Sequence, residues 1–280
     1  MPRTGRTTDV TDSVLEASEL SKSFRRRPVL DQCSFSLPRG SITALVGSNG
    51  AGKTTLMSMI VGLLHADAGE VTVLGHSVDD RGIAPGLSYL AQHKPLFARF
   101  SIAEMLRFGR DTNDRWDDAY ANGIVEETGL DLRTKIKRLS PGQRTRIAIA
   151  LVLGRLPEIV LLDEPLADLD PVARRAVAQL LMRDAADRGT TIVLSSHVLA
   201  DLVDVADRLL LLRSGRMQLD GNTEDIVNEH YVVRGTTSAP DGQIVGMIGG
   251  TTVIRGPRPD ATVLPATLDD VVLAHLSGVE

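Results

Sequence analysis

Gly47-Ser48-Asn49-Gly50-Ala51-Gly52-Lys53-Thr54-Thr55 decides how the rest of this chain is read. The stretch fits G-x-x-x-x-G-K-[ST], a phosphate-binding loop. Its flanks fit as well. Ser41 to Val46 is a short apolar, β-branched run suited to a buried strand, and Leu56 to Val61 continues as an apolar helix face. Strand, glycine-rich turn and helix N-terminus together make an anion site, because backbone N–H groups point into the turn and the helix dipole adds positive potential. The glycines permit close backbone approach and positive φ. Lys53 is placed to reach the β and γ phosphates of a nucleotide, and the Thr54 hydroxyl to ligate Mg²⁺. A nucleotide-binding protein is the expectation.

The remaining composition sets bounds. A chain of 280 residues holds one large domain with an appendage, or two modest domains. Hydrophobic and charged contents of 42% and 24% supply an ordinary globular core. The net charge of −5 provides no global positive field, so no nucleic-acid partner is expected. Cys33 stands alone, which rules out a disulfide framework and fits a reducing cytosolic setting. Residues 1–13 are polar and Thr-rich without the apolar centre of a signal peptide, and read as a disordered tail. No run approaches the ~18 apolar residues needed to span a bilayer.

Along the chain, Val14 to Leu20 and Gln32 to Leu37 alternate apolar and polar residues, as a half-exposed antiparallel pair does. Phe24 lies between them in a turn-rich basic loop. Gly69 to Leu74 and Leu87 to Ala91 read as further strands. From His93 the sequence becomes charged and helix-forming, an insert over about 93–150. Ile159 to Leu162, Thr191 to Leu194 and Leu209 to Leu212 are buried-strand runs, with helices expected at Val172 to Arg188 and Leu199 to Val205. Strands alternating with helices around the phosphate loop predict an α/β fold, a P-loop NTPase parallel sheet with an antiparallel β subdomain and a helical insert. This domain is expected over 14–221. A small β-rich C-terminal extension follows over 222–280, with short strands and a final helix from Leu268 capped by Thr267 and Asp270.

Other constellations fall at strand ends. Asp163 and Glu164 follow the run Ile159 to Leu162, at the edge where parallel sheets bind ligands. Asp163 can hold Mg²⁺, and Glu164 can polarise a water for in-line attack on the γ phosphate. An isolated Asp-Glu-Pro would read as a solvated acidic turn; the apolar tetrad and the phosphate loop argue against that. His197 follows another strand and either contacts the γ phosphate or is a structural or surface residue. Leu139-Ser140-Pro141-Gly142-Gln143 is a helix start, with Ser140 as N-cap and Pro141 in the first turn, or else a second phosphate-binding N-terminus.

From about Val14 to Ile226, these motifs in this order resemble the nucleotide-binding subunit of an ABC transporter. Gln92 corresponds to the family's Q-loop glutamine, Leu139 to Gln143 to its signature, and Asp163 with Glu164 to its Walker B pair. Leu169-Asp170 matches the D-loop, His197 the switch histidine, and Phe24 the aromatic that stacks on adenine. The resemblance implies a Mg²⁺-dependent ATPase in which residues 47–55 bind ATP. Thr54, Gln92 and Asp163 serve the metal, while Glu164, Gln92 and His197 serve catalysis. Ser140, Gly142 and Gln143 act on the ATP of a second such subunit, and Asp170 lies at the contact between the two. It further implies a separately encoded transmembrane permease, reached through Gln92 to Ser101, where Phe97 and Phe100 are either contacts or core residues. The implied location is cytoplasmic, peripheral on the inner face of the membrane. The five other histidines match no motif and read as surface or structural residues.

Two positions depart from the family pattern: Pro141 replaces a usual glycine and removes one N–H donor, and Leu166-Ala167-Asp168 precedes the D-loop in place of small or hydroxylated residues. Trp116-Asp117-Asp118 and Ala266 to Val271 resemble the drug- and polymer-exporting branch. The competing readings are a non-transport ABC ATPase acting on ribosomes or DNA, which commonly carries two nucleotide domains or a coiled coil, and an ATP-sensing regulatory module. Glu164 and His197 argue against the latter.

Overall fold

The computed structural model describes residues 13–78, 83–234, 242–259 and 263–278. Of the expected tail, residues 1–12 lie outside the described residues, and Ser13 already opens the first strand. Strands β1 (Ser13–Phe24) and β2 (Arg27–Pro38) form a hairpin longer than the alternating runs. The chain turns at Arg25 and Arg26, both at positive φ (49° and 65°), as a two-residue primed turn requires. Phe24 therefore ends a strand and is held by the ladder, which corrects its placement in a loop.

Strand β3 (Ile42–Val46) runs into the phosphate loop and helix α1 (Lys53–Ile60). Strands β4 (Ala68–Val73) and β5 (His76–Ser77) complete an antiparallel sheet ordered β2-β1-β4-β5. After β6 (Leu87–Leu90) come the helices of the insert, α2 (Ile102–Asp111), α3 (Asp118–Glu126) and α4 (Pro141–Leu153). Ser101, Asp117 and Ser140 cap them, each accepting from an orphan backbone N–H of the first turn. Trp116 wedges its ring beside Gly109 and Gly154, where a Cβ would lie within 2.9 Å of it.

The α/β alternation resumes with β7 (Ile159–Leu162), α5 (Pro171–Arg188), β8 (Thr191–Ser196) and β9 (Arg208–Arg213). A further strand, β10 (Arg216–Asn222), pairs antiparallel with β9 and gives a six-stranded sheet ordered β10-β9-β3-β8-β7-β6. The parallel strands alternate between two cores. Leu45, Leu161, Val193 and Leu210 face α1 and the antiparallel sheet. Ala44, Val160, Leu162, Ile192, Leu194 and Leu209 face the insert and α5. Burial on both faces is why these strands read as unbroken apolar runs.

Two expectations change here. β10 was not anticipated as a strand, because as an edge it carries Arg216, Gln218 and Asp220 on its open side. The helix expected over Leu199 to Val205 is only a 3₁₀ turn (Leu199–Asp201). Its buried residues, Leu199, Leu202 and Val205, recur every third position, and Leu202 N and Val205 N bond three residues back.

The C-terminal part comprises α6 (Thr223–Asn228), β11 (His230–Arg234), β12 (Gln243–Ile248), β13 (Thr251–Arg255), β14 (Leu264–Pro265) and α7 (Leu268–Ser277). Its sheet is ordered β12-β13-β11-β14, and α7 carries the Thr267–Asp270 capping box read from the sequence. Ile226, Val271 and Val272 share the core of Leu209 and Leu211, so this part is packed onto the main sheet. The boundary expected at 221 falls inside β10, and Asn222 caps α6.

His230 and His275 join α7 to this sheet. His230 Nδ1–H donates to Ile226 O at 2.6 Å, which leaves its Nε2 as acceptor, 3.4 Å from Nε2 of His275. Burial, followed by His230 and the cations Arg255 and Arg213, lowers the His275 pKa to about 4. A histidine kept neutral in the fold binds its proton only on unfolding, so stability falls as pH drops from about 6.5, the unfolded value, toward 4. Thermal melting should show this loss between pH 7 and pH 5, and it should be smaller in His275→Gln. His65, His76 and His93 are exposed.

Candidate active site

β3, β7 and β8 deliver their C-terminal ends side by side, and the polar residues of the site stand on those ends. In the phosphate loop, Gly47 is required by contact, since a Cβ there would sit 2.4 Å from Leu212 O. Lys53 is buried; its Nζ donates to Gly47 O (2.7 Å) and Ser48 O (3.3 Å) and stands 3.5 Å from Glu164 Oε1. Thr54, at the start of α1, donates its hydroxyl to Asp163 Oδ2 at 2.8 Å.

Asp163 is fully buried and Glu164 nearly so. Glu164 adopts φ 49°, a left-handed conformation costing a non-glycine residue on the order of 1–3 kcal/mol and common at functional sites. That turn aims its carboxylate at Lys53 on one side and His197 on the other. His197 Nδ1–H donates to Glu164 Oε2 at 2.8 Å. Ser195 Oγ donates to Asp163 Oδ1 (2.6 Å) and accepts from Glu164 N (2.8 Å).

Beside these groups opens a cleft of about 380 Å³, lined by Phe24, Asn49, Gly50, Gly52, Lys53, Thr54, Thr55, Gln92 and Glu164, with Val29 on its apolar wall. Phe24 is 45% exposed there, with Lys22 Nζ 5.8 Å from its ring centroid. Thr54 Oγ1 and Asp163 Oδ2 are hard oxygen donors separated by 2.8 Å. Adjacent ligands of an octahedral ion bound at 2.0–2.1 Å stand about 2.9 Å apart, so the pair fits Mg²⁺, which takes few protein ligands and completes its shell with phosphate and water. Among the described residues no group of three or more His, Cys, Asp or Glu could cage a metal.

The structure does not bring every expected residue to this cleft. Ser140 and Gln143 close on each other as a capping box, Gln143 N to Ser140 Oγ at 3.3 Å and Ser140 N to Gln143 Oε1 at 2.9 Å. Gly142 is buried against α5, where a Cβ would meet that of Ala173 at 2.7 Å. Asp170 caps α5 by accepting from Val172 N and Ala173 N (3.0 and 2.9 Å). None of these lines the cleft. Sequence reasoning missed Ser195 and Tyr89. Burial, then the Asp163 charge, pushes the Tyr89 phenol up to about 12. Their only signal was a polar residue in an apolar strand.

Residues 30–167 match the protein family described as ABC transporter. A Nod factor export ATP-binding protein I of Mesorhizobium japonicum is 30% identical over 293 residues, covering 93% of this chain and 86% of that protein. The chain belongs to the ABC transporter ATP-binding proteins. A relative named for Fe(3+) import, from Rhodococcus jostii, is 31% identical over 93% of this chain and 74% of its own length. CbiO1 of Clostridium perfringens, part of the ABC transporter complex CbiONQ, superposes with a TM-score of 0.67 at 27% identity over 77% of this chain and 90% of that one. The ABC ATPase fold read from the sequence is thus the fold observed. This ABC subunit binds ATP and hydrolyses it to drive transport.

Proposed function

We propose that this ABC subunit powers an exporter by closing on a second ATP-binding subunit when ATP and Mg²⁺ are bound, beneath a separately encoded permease at the inner face of the membrane. The observation that carries the chemistry is the chain of contacts from Thr54 through Asp163, Ser195 and Glu164 to His197 beside the cleft. The phosphates lie along the loop, and Lys53 turns its ammonium from Gly47 O and Ser48 O to the β and γ groups. Thr54 and Asp163, with Gln92 lining the cleft, would hold Mg²⁺, which would supply positive charge against the phosphates. Glu164 accepts a proton from the attacking water, and His197 keeps that carboxylate oriented. Closure of the pair is a ligand-driven population shift.

Three features support the assembly. The signature residues 139–143 lie off the cleft of their own chain, which supports a second phosphate clamp supplied by another subunit. Phe97, Phe100 and Phe108 form an aromatic cluster with centroids 4.9–6.5 Å apart next to the Gln92 segment, and Phe97 is 50% exposed. No helix among the described residues is long and apolar enough to cross a membrane. Export rests on the similarity to the Nod factor relative and on the stretches around Trp116 and Thr267. Isolation from membranes should recover the chain with a membrane-spanning polypeptide, and transport in inverted vesicles fixes the direction. Recovery alone, or substrate movement inward in intact cells, overturns the corresponding part.

Phe24 tests the adenine platform. Phe24→Ala should weaken ATP binding by roughly 1–3 kcal/mol, the worth of base–aromatic stacking. Nucleotide titration measures it, and an unchanged dissociation constant moves the platform elsewhere.

A further inference from the structure

Ser195 sits inside β8 at 1% exposure, and its hydroxyl is used twice. It donates to Asp163 Oδ1 at 2.6 Å and accepts from Glu164 N at 2.8 Å. Thr54 holds the other Asp163 oxygen from the phosphate loop, so that carboxylate is tied on both oxygens by separate elements. One residue later the backbone swings to φ 49° at Glu164. Asp163 N still bonds to Leu90 O of the neighbouring strand at 2.9 Å, and Ser195 takes over at Glu164 N. Ser196 has a different task, closing on Val198 O and N at 2.9 Å each in the turn that carries His197.

We propose that Ser195 is a positioning residue of the ATPase centre, a single hydroxyl that sets the Asp163 carboxylate for Mg²⁺ and the Glu164 carboxylate for the attacking water in mutual register. The inference rests on the roles given to Asp163 and Glu164 above. An alanine here strips a buried carboxylate oxygen of a donor and a buried N–H of its acceptor, and such groups are seldom left unpaired. Because one atom serves both residues, its loss reaches metal binding and turnover together, while the phosphate loop keeps its shape.

Ser195→Ala, Ser195→Cys and Glu164→Gln, made in the full chain, test it. ATP titration in EDTA should give the same affinity for Ser195→Ala as for the unaltered protein. The Mg²⁺ concentration that half-restores tight ATP binding should rise about tenfold, as when a residue supporting a metal ligand is lost. Turnover at saturating Mg²⁺ should fall about tenfold with KM little changed, and Ser195→Cys, of similar shape but a weaker donor, should fall between. Two results overturn the proposal: an unaltered Mg²⁺ requirement with unaltered turnover in Ser195→Ala, or an equal loss of ATP affinity with and without Mg²⁺, which marks a general disturbance. Glu164→Gln separates the two levels. Full turnover in that variant sinks the underlying reading, whereas its inactivity beside a normal Ser195→Ala sinks this inference alone.

Discussion

Glu164→Gln should bind ATP as tightly as the unaltered protein, lower turnover by at least ~10² and accumulate as an ATP-bound dimer. The amide keeps the shape of the carboxylate, so the left-handed turn and the packing around it survive. It loses basicity, and a general base is worth roughly 10²–10⁴ in rate. Lys53 Nζ, 3.5 Å from Glu164 Oε1, faces an uncharged group in the variant and remains available to the phosphates. His197 Nδ1–H still finds an acceptor in the amide oxygen. In the proposed cycle hydrolysis reopens the closed pair, so the pair should outlast the assay. Gel filtration with and without ATP reads the dimer, and phosphate release reads the rate. Turnover at the ordinary rate would remove Glu164 from the chemistry and leave His197 as the remaining candidate at that edge.

Most of this site was legible because its residues come in short local patterns. The glycine-rich loop, the apolar tetrad before Asp163 and the Ser140 N-cap followed by Pro141 each need neighbours only a few residues away, and the structure shows each local form. Contacts between distant strands leave no such trace. Ser195 and Asp163 are 32 residues apart and meet only because β7 and β8 are adjacent. His230 and His275 are 45 residues apart and looked like isolated histidines. For Gly142 the sequence suggested a close approach of backbone to phosphate, whereas the contact the structure shows is close packing on Ala173. The edge strand β10 and the 3₁₀ turn at Leu199 were misjudged because polar edges and threefold spacing imitate a loop and a helix.

Ser140→Arg should leave ATP binding by the single subunit intact, abolish hydrolysis, and recover part of the activity when mixed with Lys53→Ala. Ser140 is exposed at the N-terminus of α4, and neither it nor Gln143 lines the cleft in its own chain. Losing the cap costs on the order of 1 kcal/mol, too little to unfold a domain of ordinary stability. Gly142 would be the wrong position for this test, because any side chain there collides with α5. Lys53→Ala has the complementary lesion, since the β and γ phosphates lose their cation. Each variant paired with itself has two sites with one lesion apiece, so neither should turn over. In the mixed pair, one site combines an intact phosphate loop with an intact signature, and the other combines both lesions. With random pairing of equal amounts and independent sites, about a quarter of full activity should return for a symmetric dimer. ATP titration of each variant alone confirms that only Lys53→Ala has lost binding. If mixing restores nothing while mixed pairs are shown to form, either the signature serves its own chain or both sites must be intact at once. A pair carrying both lesions in one subunit and none in the other separates these. Signature action in cis leaves that pair half active, whereas obligate coupling of two sites leaves it inactive.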